Sequence, residues 1–129
     1  MNEEKVTDSE LLLDSSVWLA YLLEGSHQEI IESEKTIYIS SLSIFEIKKK
    51  LLDRKVPEIE INEKIDFIKE RAITIVIDNL ISEKAATISF EKKIPAIDSL
   101  IYATARLNNT TLITQDNDFR GLPHAKIIA

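Results

Sequence analysis

Four acids in this chain stand where a carboxylate can do chemistry. Asp14 follows the apolar run Leu11-Leu12-Leu13, Glu46 sits inside Ser43-Ile44-Phe45-Glu46-Ile47, Asp98 inside Pro95-Ala96-Ile97-Asp98-Ser99-Leu100-Ile101, and Asp116 closes Thr111-Leu112-Ile113-Thr114-Gln115. A carboxylate buried without a partner is costly, so the apolar settings of Glu46 and Asp98 call for a positive group. The chain has no Cys, and its two histidines, His27 and His124, show no zinc-like spacing. What remains is an oxygen-liganded hard cation such as Mg²⁺, which takes carboxylates and engages phosphate oxygens. There is no glycine-rich phosphate loop and no serine nucleophile elbow. The chemistry indicated is therefore attack on a phosphodiester by water activated at a bound cation. Each acid alone also has a plain reading as a turn or cap residue, and Ser43 with Glu46 matches a capping box. Ser16, two residues past Asp14, can orient a carboxylate or a water, or cap its own helix.

For the four to act together, separate parts of the chain must deliver them to one place. Leu11–Leu13 reads as a buried strand feeding a helix over 17–23. Ser26 can cap a short helix to about Lys35, and Thr36–Ile39 reads as a second strand. Ser41 or Ser43 can start a helix over 44–54, and Pro57 opens another with Ile61, Ile65, Ile68 and Ala72 at helical spacing. Ile73–Ile77 reads as a strand, and Asp78 caps a helix with Ile81, Ala85 and Ile88 as its buried stripe. Pro95 to about Asn108 forms a helix apolar on most faces. Thr111–Thr114 and Ala125–Ile128 supply the last strands. Alternating strands and helices predict an α/β fold with a parallel sheet covered on both faces. If the first strand and Thr111–Thr114 are neighbours where the strand order reverses, Asp14 and Asp116 leave the same sheet edge. Glu46 and Asp98 then lie near helix starts at that edge.

With 129 residues, 44% apolar and 29% charged, the chain reads as a single soluble domain over 1–129, with 1–10 as a flexible segment. No apolar run reaches a bilayer span and the start does not resemble a signal peptide, so a cytoplasmic location without membrane contact is expected. The net charge of −6, from 16 basic and 22 acidic residues, argues against a general nucleic-acid coat. It is compatible with an acid cluster neutralised by its own ions.

The sequence resembles the PIN-domain nucleases, specifically the VapC-type toxins of toxin–antitoxin pairs. The resemblance rests on Leu-Leu-Asp-Ser-Ser-Val-Trp at 12–18, Ser-Ile-Phe-Glu-Ile at 43–47, Pro-Ala-Ile-Asp-Ser-Leu-Ile-Tyr-Ala-Thr-Ala at 95–105 and Leu-Ile-Thr-Gln-Asp-Asn-Asp-Phe at 112–119. It implies a three-layer α/β/α sandwich, RNA cleavage dependent on Mg²⁺ or Mn²⁺, a homodimer, and a cognate antitoxin. It also implies Asp14, Glu46, Asp98 and Asp116 as the catalytic acids, with Asp118 as a further metal ligand and Thr114 in support. Lys49 and Lys50 share a helix face with Glu46 and are candidates for RNA phosphate contact, or else simply a solvated face. Trp18, Tyr21 and Leu22 read as core, with one edge available to a partner. Two other functions fit the same acids: an RNA-processing nuclease of this type without an antitoxin, and a non-catalytic Mg²⁺-binding regulatory domain.

Overall fold

The computed structural model describes residues 8–129. Its elements follow as β1 (Glu10–Leu13), α1 (Ser15–Glu24), α2 (Gln28–Ile31), β2 (Thr36–Ser40), α3 (Ser41–Asp53), α4 (Glu58–Arg71), β3 (Ile73–Ile75), α5 (Asn79–Lys92), α6 (Ala96–Leu107), β4 (Thr111–Thr114) and β5 (Ala125–Ile127), with a 3-10 turn over Asn117–Phe119. The strands form one sheet in the order β3-β2-β1-β4-β5, and every neighbouring pair is parallel.

A parallel sheet is buried on both faces, which is why β1 is a continuous apolar run. Successive side chains point to opposite faces. Leu11 and Leu13, with Ile37, Ile39 and Ile113, pack against Val17 and Trp18 of α1, Ile47 and Leu51 of α3, and Ile61 and Ile68 of α4. Leu12 and Leu112 pack the other way, against Ile81, Ala85 and Ile88 of α5 and Ile101, Tyr102 and Ala105 of α6. Two cores on one sheet make the three-layer α/β/α sandwich that the resemblance implied. None of the helices among the described residues is long and apolar enough to cross a membrane.

The chain builds outward from β1 through β2 to β3, then returns over α5 and α6 to place β4 on the other side of β1. The carboxyl ends of β1 and β4 therefore diverge into different connections and open a crevice between them.

Several local expectations are corrected. The fraying segment expected over 1–10 lies outside the described residues as far as Thr7, but Ser9 and Glu10 are already paired: Thr36 donates its N–H to the Ser9 carbonyl at 2.9 Å, and Glu10 sits opposite Thr36. The second helix ends at Ile31 rather than near Lys35. Arg71 reaches across from α4 and donates to the carbonyls of Ile31, Ser33 and Lys35 at 2.6, 3.0 and 3.0 Å, satisfying groups a longer helix would have used. His27, not Ser26, takes its N-cap position, in a left-handed conformation. The strand expected through Ile77 stops at Ile75, because Ile75 pairs with Ser40, the last residue of β2. Beyond that register β2 has turned into α3, and Val76 has no strand to join.

Candidate active site

Asp14 occupies the N-cap position of α1, yet its side chain makes no capping hydrogen bond. It is instead turned into the crevice and is only 7% exposed. Its backbone N–H continues the ladder to β4, donating to the Ile113 carbonyl at 3.0 Å. Thr114 Oγ1 and Ser16 Oγ donate to Oδ2 at 2.5 and 3.1 Å, and Ser15 Oγ donates to Oδ1 at 3.3 Å. Two of these hydroxyls also accept from the backbone just past β4: Thr114 Oγ1 from Asp116 N–H at 2.9 Å, and Ser16 Oγ from Gln115 N–H at 3.0 Å. The ends of β1 and β4 are thus stitched together through Asp14. The alternative of Ser16 as a cap of its own helix gives way to this role.

Glu46 arrives from α3. Ser40, rather than Ser41 or Ser43, caps that helix, its Oγ accepting from Leu42 N–H at 3.1 Å. Ser43 Oγ is buried with no partner among the described residues, so the expected capping box does not form. Glu46 accepts instead from Ser15 Oγ at 3.2 Å. One hydroxyl proton therefore serves two carboxylates, Asp14 and Glu46. Burial raises the Glu46 carboxyl above the usual range and the Asp14 charge raises it further, while the Ser15 hydrogen bond opposes both. Ser15 was not singled out from sequence. The only signal was the second hydroxyl in Asp14-Ser15-Ser16, at a position where any first-turn residue is tolerated.

Asp98 lies in the first turn of α6, which Pro95 starts without a side-chain cap. Asp98, Asp116 and Asp118 each place a carboxylate oxygen within 4.8 Å of the others. Asp116 is held by an Asx-type turn, its Oδ1 accepting from Asp118 N–H at 2.8 Å. Burial, the charges of Asp116 and Asp118, a hydrogen bond with Asp118, and the charge of Asp14 push Asp98 up to about 7. Asp118, which the resemblance implied as a further metal ligand, is one of the three acids in the triad.

The structure thus brings all five acids to one sheet edge, as the pair Asp14–Glu46 joined through Ser15 and the triad Asp98–Asp116–Asp118. Among the described residues, none of the ion pairs involves any of the five. An all-oxygen donor set with unrelieved like charge fits a hard divalent cation. The histidines stand apart from this group: both have positive φ, and neither is a member of the acid triad. Lys49 and Lys50 line a groove beside Glu46, with Lys49 paired to Asp53 at 3.2 Å. Among the described residues no ion pair joins Glu46 to Lys50. Trp18 is fully buried, whereas Tyr21 and Leu22 border a separate groove with Phe67.

Thr114 is the test of how tightly this site is held. Thr114→Val keeps the shape but removes a donor to Asp14 and an acceptor for Asp116 N–H. It should cost about 1–3 kcal/mol of stability and lower divalent-ion affinity about 10- to 100-fold. Denaturant melts and Mn²⁺ titrations check both; unchanged ion affinity would reduce Thr114 to a packing residue.

The family model described as PIN domain matches residues 11–125. Similar solved structures include a toxin–antitoxin complex from Klebsiella pneumoniae (TM-score 0.75, 21% identity, covering 89% of this chain and 94% of that one). DNA-bound VapBC from Salmonella typhimurium is similar at TM-score 0.76 and 18% identity, covering 92% and 96%. VapC20 from Mycobacterium tuberculosis, a sarcin–ricin loop cleaving toxin, is similar at TM-score 0.71 and 12% identity, covering 92% and 99%. No curated protein matches the sequence.

Proposed function

The chain belongs to the PIN-domain family, and from that premise we propose that it is a Mg²⁺- or Mn²⁺-dependent endoribonuclease, the toxin of a toxin–antitoxin pair. The observation that supports this most is the convergence of Asp14, Glu46, Asp98, Asp116 and Asp118 at the crevice between β1 and β4. Asp98, Asp116 and Asp118 would hold the ion, with Asp14 and Glu46 completing the oxygen set. A divalent ion held by these residues would lower the pKa of a water and offset the charge that develops on the phosphate.

The chain's own residues prepare the site. Thr114, Ser16 and Ser15 fix both oxygens of Asp14, so its position is set before substrate arrives. Glu46, with its affinity for a proton raised by burial and by Asp14, is suited to take a proton from an attacking water. The single-stranded or looped regions of RNA are the parts whose backbone can enter such a crevice.

The reading includes a cytoplasmic setting, a second copy of the chain and an antitoxin protein as partners. The groove of about 380 Å³ between α1 and α4, with acidic Glu32, Glu60 and Glu63 around Tyr21 and Phe67, suits a basic amphipathic segment of the antitoxin. The function is tested by incubating the purified protein with a structured RNA in Mg²⁺, Mn²⁺ or chelator. Cleavage at unpaired positions only with the ions is expected, and chelator-resistant cleavage would overturn the assignment.

A second expectation concerns Lys49 and Lys50. If both meet phosphates, replacing them with Ala reduces the salt dependence of binding to single-stranded RNA by about 1.4 in log–log slope, about 0.7 per contact. The Lys49–Asp53 ion pair is exposed and does little to hold the ammonium back. Binding measured across a salt series decides it, an unchanged slope returning both to the solvated surface.

A further inference from the structure

The described residues contain three phenylalanines with substantial exposure, and they are not in the same situation. Phe67 stacks on Tyr21 with ring centres 5.8 Å apart and 15° between planes. Phe90 carries the Lys93 ammonium over its ring at 5.5 Å. Phe45, 62% exposed, has neither a ring nor a cation partner among the described residues. It also lies immediately before Glu46, as Ile97, 41% exposed, lies immediately before Asp98.

Phe45, Ile97 and Leu42 form the apolar side of a groove of about 290 Å³ that runs along α3 from Leu42 to Asp53 beside the start of α6. Glu46 borders it as a member of the acid cluster, Lys49 and Asp53 border it as an ion pair at 3.2 Å, and Lys50 borders it as a cation outside the ion pairs of the described residues. Glu46 is therefore shared by the groove and the acid cluster where a phosphate would be cut. The groove's lining offers the two contacts a nucleotide needs, the Lys50 ammonium for a backbone phosphate and the open face of Phe45 for a base. The larger groove between α1 and α4 carries three acids, Glu32, Glu60 and Glu63, against one cation, Lys64, and would repel a phosphate chain.

We propose that the groove between α3 and α6 seats one unpaired nucleobase of the RNA next to the phosphate to be cut, with Phe45 as its stacking surface. This rests on the ribonuclease reading and adds a determinant of where the strand is cut. A paired base cannot reach the ring, so the groove selects for unpaired positions. Base-on-aromatic stacking tolerates any base, so the preference it confers is for an unstacked base rather than a particular one.

The test uses the Asp98→Asn protein in Mg²⁺, where cleavage is expected to be suppressed, with a short unstructured RNA and an abasic strand of equal length as probes. The native Trp18 is fully buried, so Phe45→Trp adds an exposed indole as a reporter. Its fluorescence should be quenched by the RNA and not by the abasic strand. Phe45→Ala should bind the RNA about tenfold more weakly with unchanged affinity for the abasic strand, and Phe45→Tyr should retain binding. Equal quenching by both strands, or undiminished binding by Phe45→Ala, overturns the proposal. So does weakened binding that tracks a change in oligomeric state on size exclusion, which assigns the face to a second copy of the chain. Cleavage by the otherwise unaltered protein is run in parallel. Cleavage with base-independent binding removes only the base site, whereas base-dependent binding without cleavage removes only the nuclease reading.

Discussion

Asp98→Asn is expected to lower metal-dependent RNA cleavage about a thousand-fold or more, close to 4 kcal/mol of transition-state stabilisation, while the protein stays folded. The substitution keeps shape and deletes charge at a half-buried site where three other acids already raise the energy of the carboxylate. Folding therefore has little to lose. Cleavage would lose a charged residue of the triad proposed to hold the ion, and a displaced ion would no longer act on the water and the phosphate together. Because the acids act as a unit, Asp98→Asn with Asp116→Asn should be little worse than either alone. Asp118 is the most exposed of the triad, and Asp116 is anchored by the Asp118 N–H. Asp118→Asn should accordingly keep more activity than Asp116→Asn. Single-turnover cleavage of a looped RNA measures all four variants, and near-normal activity in Asp98→Asn would remove the triad from the mechanism.

The second large effect is on stability and has a defined sign. Asp98 is raised from the ordinary 3.8 to about 7, so between those values the folded protein holds a proton that the unfolded chain has lost. Without metal, this contribution to stability is fully present below about 4 and is lost as pH rises through about 7. Glu46, also raised, acts in the same direction; Asp8, lowered by Lys126, opposes them from an exposed position. A divalent ion takes the place of the proton and should reverse the trend. At 100 times its dissociation constant it adds about 2.7 kcal/mol, or roughly 10 °C in Tm for a chain of this size. The gain should be larger at pH 8 than at pH 5.5, where the proton competes. In chelator at pH 8, Asp98→Asn should melt above the unaltered protein, and in saturating Mn²⁺ below it. Thermal melts across pH check this, and parallel curves for the two proteins in chelator would show that the carboxylates do not repel as the geometry requires.

How far this site was legible in the chain depended on the range of the forces involved. The runs Leu11–Leu13 and Thr111–Thr114 announce buried strands on their own, and their parallel pairing places Asp14 and Asp116 without further information. The β-branched run 73–77 announces a strand equally well. Its end, however, is set by where β2 stops, a fact held by Ser40 on another part of the chain. The short α2 is the same case, since its stop depends on Arg71, 40 residues beyond Ile31. Ser43 and Glu46 had the spacing of a local capping box, but a serine 31 residues upstream of Glu46 won the carboxylate. The strand-end acids could thus be read from local pattern and Asp118 from the motif at 112–119, while Ser15 and the open ring of Phe45 are products of tertiary contact.

These carboxylates are proposed to hold the ion on which RNA cleavage depends. The most direct measurement titrates Mn²⁺ into metal-free protein, counts bound ion by the loss of the free Mn²⁺ electron-paramagnetic-resonance signal, and follows RNA cleavage in the same samples. Cleavage should rise in proportion to bound Mn²⁺ at pH 8, and both should collapse in Asp98→Asn. Cleavage that proceeds before any Mn²⁺ is bound, or Mn²⁺ that binds Asp98→Asn as tightly as the unaltered protein, would contradict it.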